Sequence, residues 1–261
     1  MYSHHEESLA RVARYFEHNP EVQALLLGGS VAHGFAGPTS DIDVMIVVPD
    51  EAYEARQREG RIQFYSTDLC TYERGYVDGK YLGESFLEQV AASGSEPARF
   101  AFKDARVLFS RVEGLEETIQ RIARYPVEEK VDRIQRFHAQ FEAWNWYAGE
   151  ALRLNDGYLL GVSISKLVLF GGRLILAHNE LLYPYHKWFI KVLERATDKP
   201  GDLLARIRSL YENPSGENVR LFYETVKAYR EWEKSDVGWP GQFMADSELN
   251  WLNGTTPIDD L

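Results

Sequence analysis

Apolar positions in the first half of the chain switch repeatedly between a helical and a strand period. Leu9, Val12, Ala13 and Phe16 recur at helical spacing behind Ser3-x-x-Glu6, a capping-box pattern, until Asn19-Pro20 ends the run. Residues 22–27 form a short apolar strand that enters Gly28-Gly29-Ser30. A short helix is expected over 30–34, a loop over 35–40 and a second strand over 42–48. Pro49-Asp50 opens a helix to residue 58, and 61–65 returns as a strand. The strand expected at 76–82 puts Asp78 and Lys80 on one face, Val77 and Tyr81 on the other. Residues 83–93 read as helix, 105–109 as strand and 114–125 as helix. Such alternation predicts a mixed sheet flanked by helices.

The pattern changes at Pro126. Val131, Ile134, His138, Phe141, Asn145, Ala148, Leu152 and Asn155 trace one long helical face, which Asp156-Gly157 interrupts. An apolar helix follows to about residue 179, and Pro184, Pro200, Pro214 and Pro240 punctuate helices at 186–197, 201–212, 215–235 and 245–252. The expected fold is α+β, with a mixed-sheet domain at 1–125 followed by an all-helical domain at 126–261. The most apolar stretch, 158–175, is broken by Ser163, Ser165, Lys166 and Arg173, so it reads as a buried helix. It falls short of the ~18 uninterrupted apolar residues that span a bilayer.

Two acids give this frame its chemistry. Asp41 and Asp43 stand at i and i+2 at the mouth of an apolar strand, so both project to one face while Ile42 and Val44 pack on the other. Paired carboxylates repel unless a cation lies between them, and a hard oxygen set completed by phosphate and water suits Mg²⁺. Just ahead, the Gly-Gly-Ser turn brings bare backbone N–H groups toward a phosphate, with no Cβ in the way.

The segment from Gly28 to Asp43 resembles the signature of the polymerase-β-type nucleotidyltransferase superfamily: Gly-Ser, a variable stretch, then Asp-x-Asp. The layout of the chain is similar to the antibiotic (aminoglycoside or lincosamide) nucleotidyltransferases. The resemblance implies that Asp41 and Asp43 bind metal, that Ser30 contacts the terminal phosphates of a nucleoside triphosphate with Gly29 allowing the approach, and that a third carboxylate comes from a neighbouring strand. Asp78 is the choice for that acid, because it lies mid-strand with Lys80 on its own face; Asp68 and Glu73 are its rivals. Lys80 either neutralises Asp78 or binds phosphate. His33 falls where related sequences often carry a basic or small residue, so it is either a phosphate contact or an exposed helix histidine. Lys187, in Tyr185-His186-Lys187-Trp188, opens a helix where the dipole disfavours a cation, and a similar pair lies near the nucleotide in some relatives. Glu142 and Glu150 on the long helix are candidates for the general base on the acceptor hydroxyl.

Composition narrows the acceptor. The formal net charge is −11, acids outnumber bases 40 to 29, and no Lys/Arg cluster stands out, which disfavours nucleic acid and suits a small cationic partner. All six tryptophans lie between Trp144 and Trp251, in the helical half. The lone cysteine, Cys70, excludes an internal disulfide framework, fits a reducing compartment, and is expected at a buried strand position. With no signal-peptide pattern at the start, a cytoplasmic location follows. The expected function is Mg²⁺-dependent transfer of a nucleoside monophosphate, AMP from ATP or another NTP, onto a hydroxyl of a small acceptor. The acceptor is expected between the two domains. Two alternatives stay open: modification of a protein or RNA partner, as in toxin–antitoxin pairs, and a nucleotide-binding scaffold without turnover.

Overall fold

The computed structural model describes residues 1–252 and 254. Residues 253 and 255–261 of the expected helical domain lie outside them. The chain is α+β and divides into two compact units, Met1–Arg124 and Tyr125–Leu261.

The first unit runs α1 (Ser3–Glu17), β1 (Ala24–Leu27), α2 (Gly29–Ala32), β2 (Ile42–Val48), α3 (Asp50–Arg58), β3 (Gln63–Ser66), β4 (Val77–Gly83), α4 (Glu84–Ser93), α5 (Glu96–Phe102), β5 (Arg106–Ser110) and α6 (Leu115–Ala123). The sheet order is β3-β4-β2-β1-β5. Every pairing is antiparallel except β2 with β4, which is parallel.

Strand alternation feeds two cores. Leu25, Leu27, Ile42, Val44, Ile46 and Val48 meet Leu9, Val12 and Phe16 of α1, with Ala52 and Tyr53 of α3 alongside. Ala24, Leu26, Met45 and Val47 face the other way, onto Leu87 and Val90 of α4, Phe102 of α5 and Leu115, Ile119 and Ile122 of α6. Asp43 precedes Met45 and Val47 on this second face, at the end of the strand.

Local departures from the sequence pattern have identifiable causes. The capping box does not form: Ser3 is already helical, Tyr2 holds the N-cap position, and no side chain caps the end. Tertiary bonds from His4 and His5 to the 38–40 loop fix the start of the helix instead. Cys70 lies half-buried in the loop after β3 rather than in a strand, and burial pushes its thiol pKa up. The missed helix α5 has a readable start, since Ser95 Oγ accepts from Ala98 N–H and Pro97 sits in the first turn.

The second unit contains α7 (Lys130–Leu154), α8 (Gly157–His178), α9 (Phe189–Arg195), α10 (Leu203–Glu212), α11 (Gly216–Lys227) and α12 (Gly238–Phe243). Asn155 ends α7 in the left-handed region (φ 54°), and Asp156 Oδ1 then caps α8 by accepting from Leu159 N–H at 3.0 Å. By length and composition alone α8 would suit a bilayer. Here it is a packing helix: Leu167, Leu174, Ile175 and Leu176 are fully buried. Gly171 backs onto Phe141 and Phe222, and a Cβ at Gly172 would stand 2.3 Å from the Phe189 ring. The expected helix 215–235 stops at Lys227, where the chain turns back and the Trp232 indole donates to the Val226 carbonyl at 2.9 Å. The expected helix 186–197 begins as a single 3₁₀ turn, His186–Trp188. Within 245–252 the chain forms a π-helical turn, Met244–Glu248, and a 3₁₀ turn, Asn250–Leu252.

A polar network joins α7 to α11. Tyr223 donates to Glu142 at 2.7 Å, Lys227 donates to the Tyr223 hydroxyl at 2.6 Å, and His138 Nε2 lies 3.4 Å from Glu142. Burial holds the His138 pKa below its usual 6.5, against the attraction of Glu142 and with Lys234 and Lys227 assisting. Between the lowered value and 6.5, the unfolded chain binds a proton that the folded one refuses. Stability of this unit is therefore expected to be complete above that window and to fall as the pH drops through it. Urea denaturation followed by tryptophan fluorescence, which reports only the helical half, should give a lower midpoint at about pH 5.5 than at about pH 7.5. The difference should shrink in His138→Gln.

Candidate functional site

The site is assembled at one end of the sheet. β1 ends at Leu27 beside the start of β2, where Leu27 pairs with Val44. The parallel pairing sets Asp43 in register with Asp78, and β3 adds Tyr65 opposite Asp78. In-register neighbours share a face, on strands about 4.8 Å apart, so Asp43 and Asp78 stand side by side. Asp41 precedes them by one alternation on β2. Across the sheet end the order is thus the Gly-Gly-Ser turn, Asp43, Asp78 and Tyr65.

Gly29 shows how closely the turn and the acids meet. A Cβ built at this position would lie 1.7 Å from Asp43 Oδ2, and its backbone sits at φ 60°. Only glycine fits, for both reasons. The Gly28 N–H donates to the Asp43 carbonyl at 2.9 Å, which fixes the turn to β2. Ser30 is buried, and among the described residues its hydroxyl has no hydrogen-bond partner. A buried hydroxyl left unpaired is destabilising unless a ligand supplies its partner.

Tyr76 identifies the electrostatic centre. Its hydroxyl pKa is raised from 10, first by the charge of Asp41, then by a hydrogen bond to that carboxylate and by burial, with Asp43 and Asp78 adding to the effect. All three acids therefore act on one phenol. The sequence reading missed Tyr76, although Tyr76-x-Asp78 is the same-face spacing that singled out Asp41 and Asp43. Among the described residues, no group of three or more His, Cys, Asp or Glu side chains is arranged to hold a metal ion. Mg²⁺ does not need one: one or two carboxylates with substrate phosphate and water complete its shell. An acid pair beside a glycine cradle and an unpartnered serine hydroxyl fits that donor set.

The remaining expected residues fall differently. Lys80 is exposed on the acid face, in register with Met45 and Gln63, and among the described residues it forms no ion pair with Asp78. Asp68 lies exposed in the turn after β3, and Glu73 is exposed beside Arg74 at 3.9 Å, so neither rival shares the register of Asp78. His33 corrects an expectation. It is buried, with its ring 4.5 Å from Phe100 and Nδ1 3.5 Å from Asp104, because α2 ends after one turn and seats it against α5. Lys187 belongs to the helical unit, where its ammonium lies over the Trp188 ring at 5.1 Å, in the 3₁₀ turn rather than at an α-helix start. Of the base candidates, Glu142 is tied into the network with Tyr223, His138 and Lys227, and Glu150 pairs with Arg153 at 2.6 Å on the surface.

Gly29→Ala is expected to abolish metal-dependent nucleotide binding and to lower the melting temperature. The left-handed backbone alone costs about 1–2 kcal/mol for a residue with a Cβ, and relief of the clash must displace Asp43. Calorimetric titration with nucleotide and Mg²⁺, beside a thermal melt, checks both parts.

Residues 9–93 match the family model of the nucleotidyltransferase domain, a span that contains the glycine turn and all three acids. A nucleotidyltransferase-like protein from Exiguobacterium sibiricum is similar in structure at 8% identity and a TM-score of 0.48, covering 98% of this chain and 83% of its own. No curated protein matches the chain.

Proposed function

We propose, for a chain whose residues 9–93 are a nucleotidyltransferase domain, that it transfers a nucleoside monophosphate from ATP or another NTP to a hydroxyl of a small acceptor in the cytoplasm. The observation that carries this reading is the contact of the Gly29–Ser30 turn with the Asp43 carboxylate. A backbone donor cradle and an acid are held against each other, with a buried hydroxyl still in need of a partner.

Asp41 and Asp43 would hold Mg²⁺, with Asp78 beside them. When bound, the metal supplies charge neutralisation at the phosphates and lowers the pKa of the attacking hydroxyl. Ser30 and the neighbouring N–H groups orient the terminal phosphates. The acceptor oxygen bonds to the α-phosphorus as the bond to the β-phosphate oxygen breaks, and pyrophosphate and a proton are released. Attacking and leaving oxygens stand roughly in line in such transfers. With the leaving group over the turn that follows β1, the acceptor approaches over β4 and β3. Tyr65 is there, cross-strand from Asp78, 67% exposed and with its ring 5.4 Å from that of Tyr76. Aromatic faces beside a negative cluster favour a ring-shaped, cationic or polyhydroxylated acceptor, of the kind found among aminoglycoside and lincosamide antibiotics. The charge of −11 supports a small acceptor over RNA.

Labelled ATP, GTP, CTP and UTP with Mg²⁺, supplied with aminoglycosides, lincosamides, RNA and cell extract, test the acceptor class. The expected result is a labelled small molecule; label entering only RNA or protein overturns the small-acceptor reading. Asp43→Asn should lose at least about a thousandfold in rate, as expected when metal charge stabilisation is removed, and EDTA should do the same to the parent. Tyr65→Ala should raise the KM for the acceptor several-fold while leaving that for the nucleotide unchanged, measured by steady-state kinetics.

A further inference from the structure

We propose that the first turn of α1 and Tyr72 brace the backbone immediately before Asp41, which makes His5 and Tyr72 positioning residues for the divalent metal. The proposal rests on the reading of Asp41 and Asp43 as metal ligands.

Three side chains converge on two loop carbonyls, those of Pro38 and Ser40. His4 Nε2 donates to the Pro38 carbonyl at 2.8 Å. His5 Nε2 donates to the Ser40 carbonyl at 3.2 Å, and the Tyr72 hydroxyl donates to the same oxygen at 2.6 Å. A carbonyl only accepts, so each Nε2 carries its hydrogen. His5 is fully buried and its Nδ1 has no partner, as expected of a neutral ring whose one N–H is committed to Ser40.

The brace also reaches the other acid-bearing strand. The Tyr72 ring packs on His4 at 4.5 Å and on His5 at 5.2 Å. It also lies against Gly75, where a Cβ would come within 2.7 Å of it. Thr71 N–H donates to Ser8 Oγ at 3.0 Å, and Thr71 Oγ1 donates to the His4 carbonyl at 3.2 Å. One set of residues thus fastens the loop entering β2 and the loop entering β4. The Ile42 N–H closes the gap by donating to the Tyr76 carbonyl at 3.0 Å.

The link to metal is the peptide plane. The Ser40 carbonyl belongs to the rigid amide that ends at the Asp41 Cα. Anchoring that oxygen twice limits the directions in which the Asp41 carboxylate points. Groups one step behind a ligand commonly change metal affinity by 10–100-fold when removed. His4 and His5 lie ahead of the 9–93 stretch that matches the nucleotidyltransferase domain, whereas Tyr72 lies within it.

The test is Mn²⁺ binding to the full chain by electron paramagnetic resonance, without acceptor or turnover. Parent, Asp43→Asn, Tyr72→Phe, His5→Ala and His5→Gln are compared, each with its circular dichroism and melting curve. Tyr72→Phe and His5→Ala are expected to weaken Mn²⁺ about tenfold. His5→Gln, whose amide donates from close to the Nε2 position, should recover most of that loss. Tyr72→Phe keeps the ring packing, so it remains decisive even if His5→Ala unfolds. Affinity within about twofold of the parent in folded Tyr72→Phe would overturn the brace. Loss in His5→Ala with no recovery in His5→Gln assigns the effect to packing and overturns the role of His5. If Asp43→Asn binds Mn²⁺ as the parent does, the metal reading itself fails, and that result is distinct from the other two.

Discussion

The architecture of the first unit turns on a single parallel pairing in an otherwise antiparallel sheet. Because β2 and β4 run side by side from the same end, Asp43 and Asp78 come into register on neighbouring strands. Like charges repel one another, and a sheet does not choose such a neighbour for stability. The opposite face makes the arrangement tolerable. Ile42, Val44 and Ile46 bury fully or nearly so against α1, and Gly79 packs tightly against Val44, Ile46 and Phe64. The hydrophobic core on one face holds the strands together tightly enough to impose proximity on the acids of the other.

Much of this was legible in the residues. The apolar run Ile42–Val48 located the central strand, and the same-face rule placed Asp41 with Asp43 and Asp78 with Lys80. The parallel register that brings Asp78 to Asp43 is a pairing between distant segments, and no local pattern encodes it. Of the two alternatives held open for His33, the exposed one failed for a related reason: α5, distant in sequence, covers the side chain. The capping box failed because His4 and His5 make tertiary bonds that outweigh the local preference of Ser3 and Glu6. In the helical unit the long runs were legible and the short ones were not. Trp232 reaches back to Val226 and ends α11 early, an event of packing rather than propensity.

Each unit gathers its charged groups differently. In the helical unit, Glu142, Tyr223, Lys227 and His138 satisfy one another, and Arg136 with Asp246 and Gln140 with Ser247 tie the last turns to α7. At the sheet end acids crowd together and Tyr76 is drawn into their field. Polar groups that satisfy one another stabilise a fold. Charges that converge on one titratable group mark a candidate binding place.

Ser30 makes the last point concrete. An unpaired buried hydroxyl destabilises a native state by about 1–3 kcal/mol, a sizeable part of the margin by which most domains stay folded. Replacement by alanine would remove that deficit and leave the turn geometry intact. A search of variants for heat resistance alone would therefore favour erasing this serine, and would select a sturdier protein with an emptied purpose. That it stands buried and unmatched among the described residues marks a conflict between durability and chemistry, confined here to one oxygen atom.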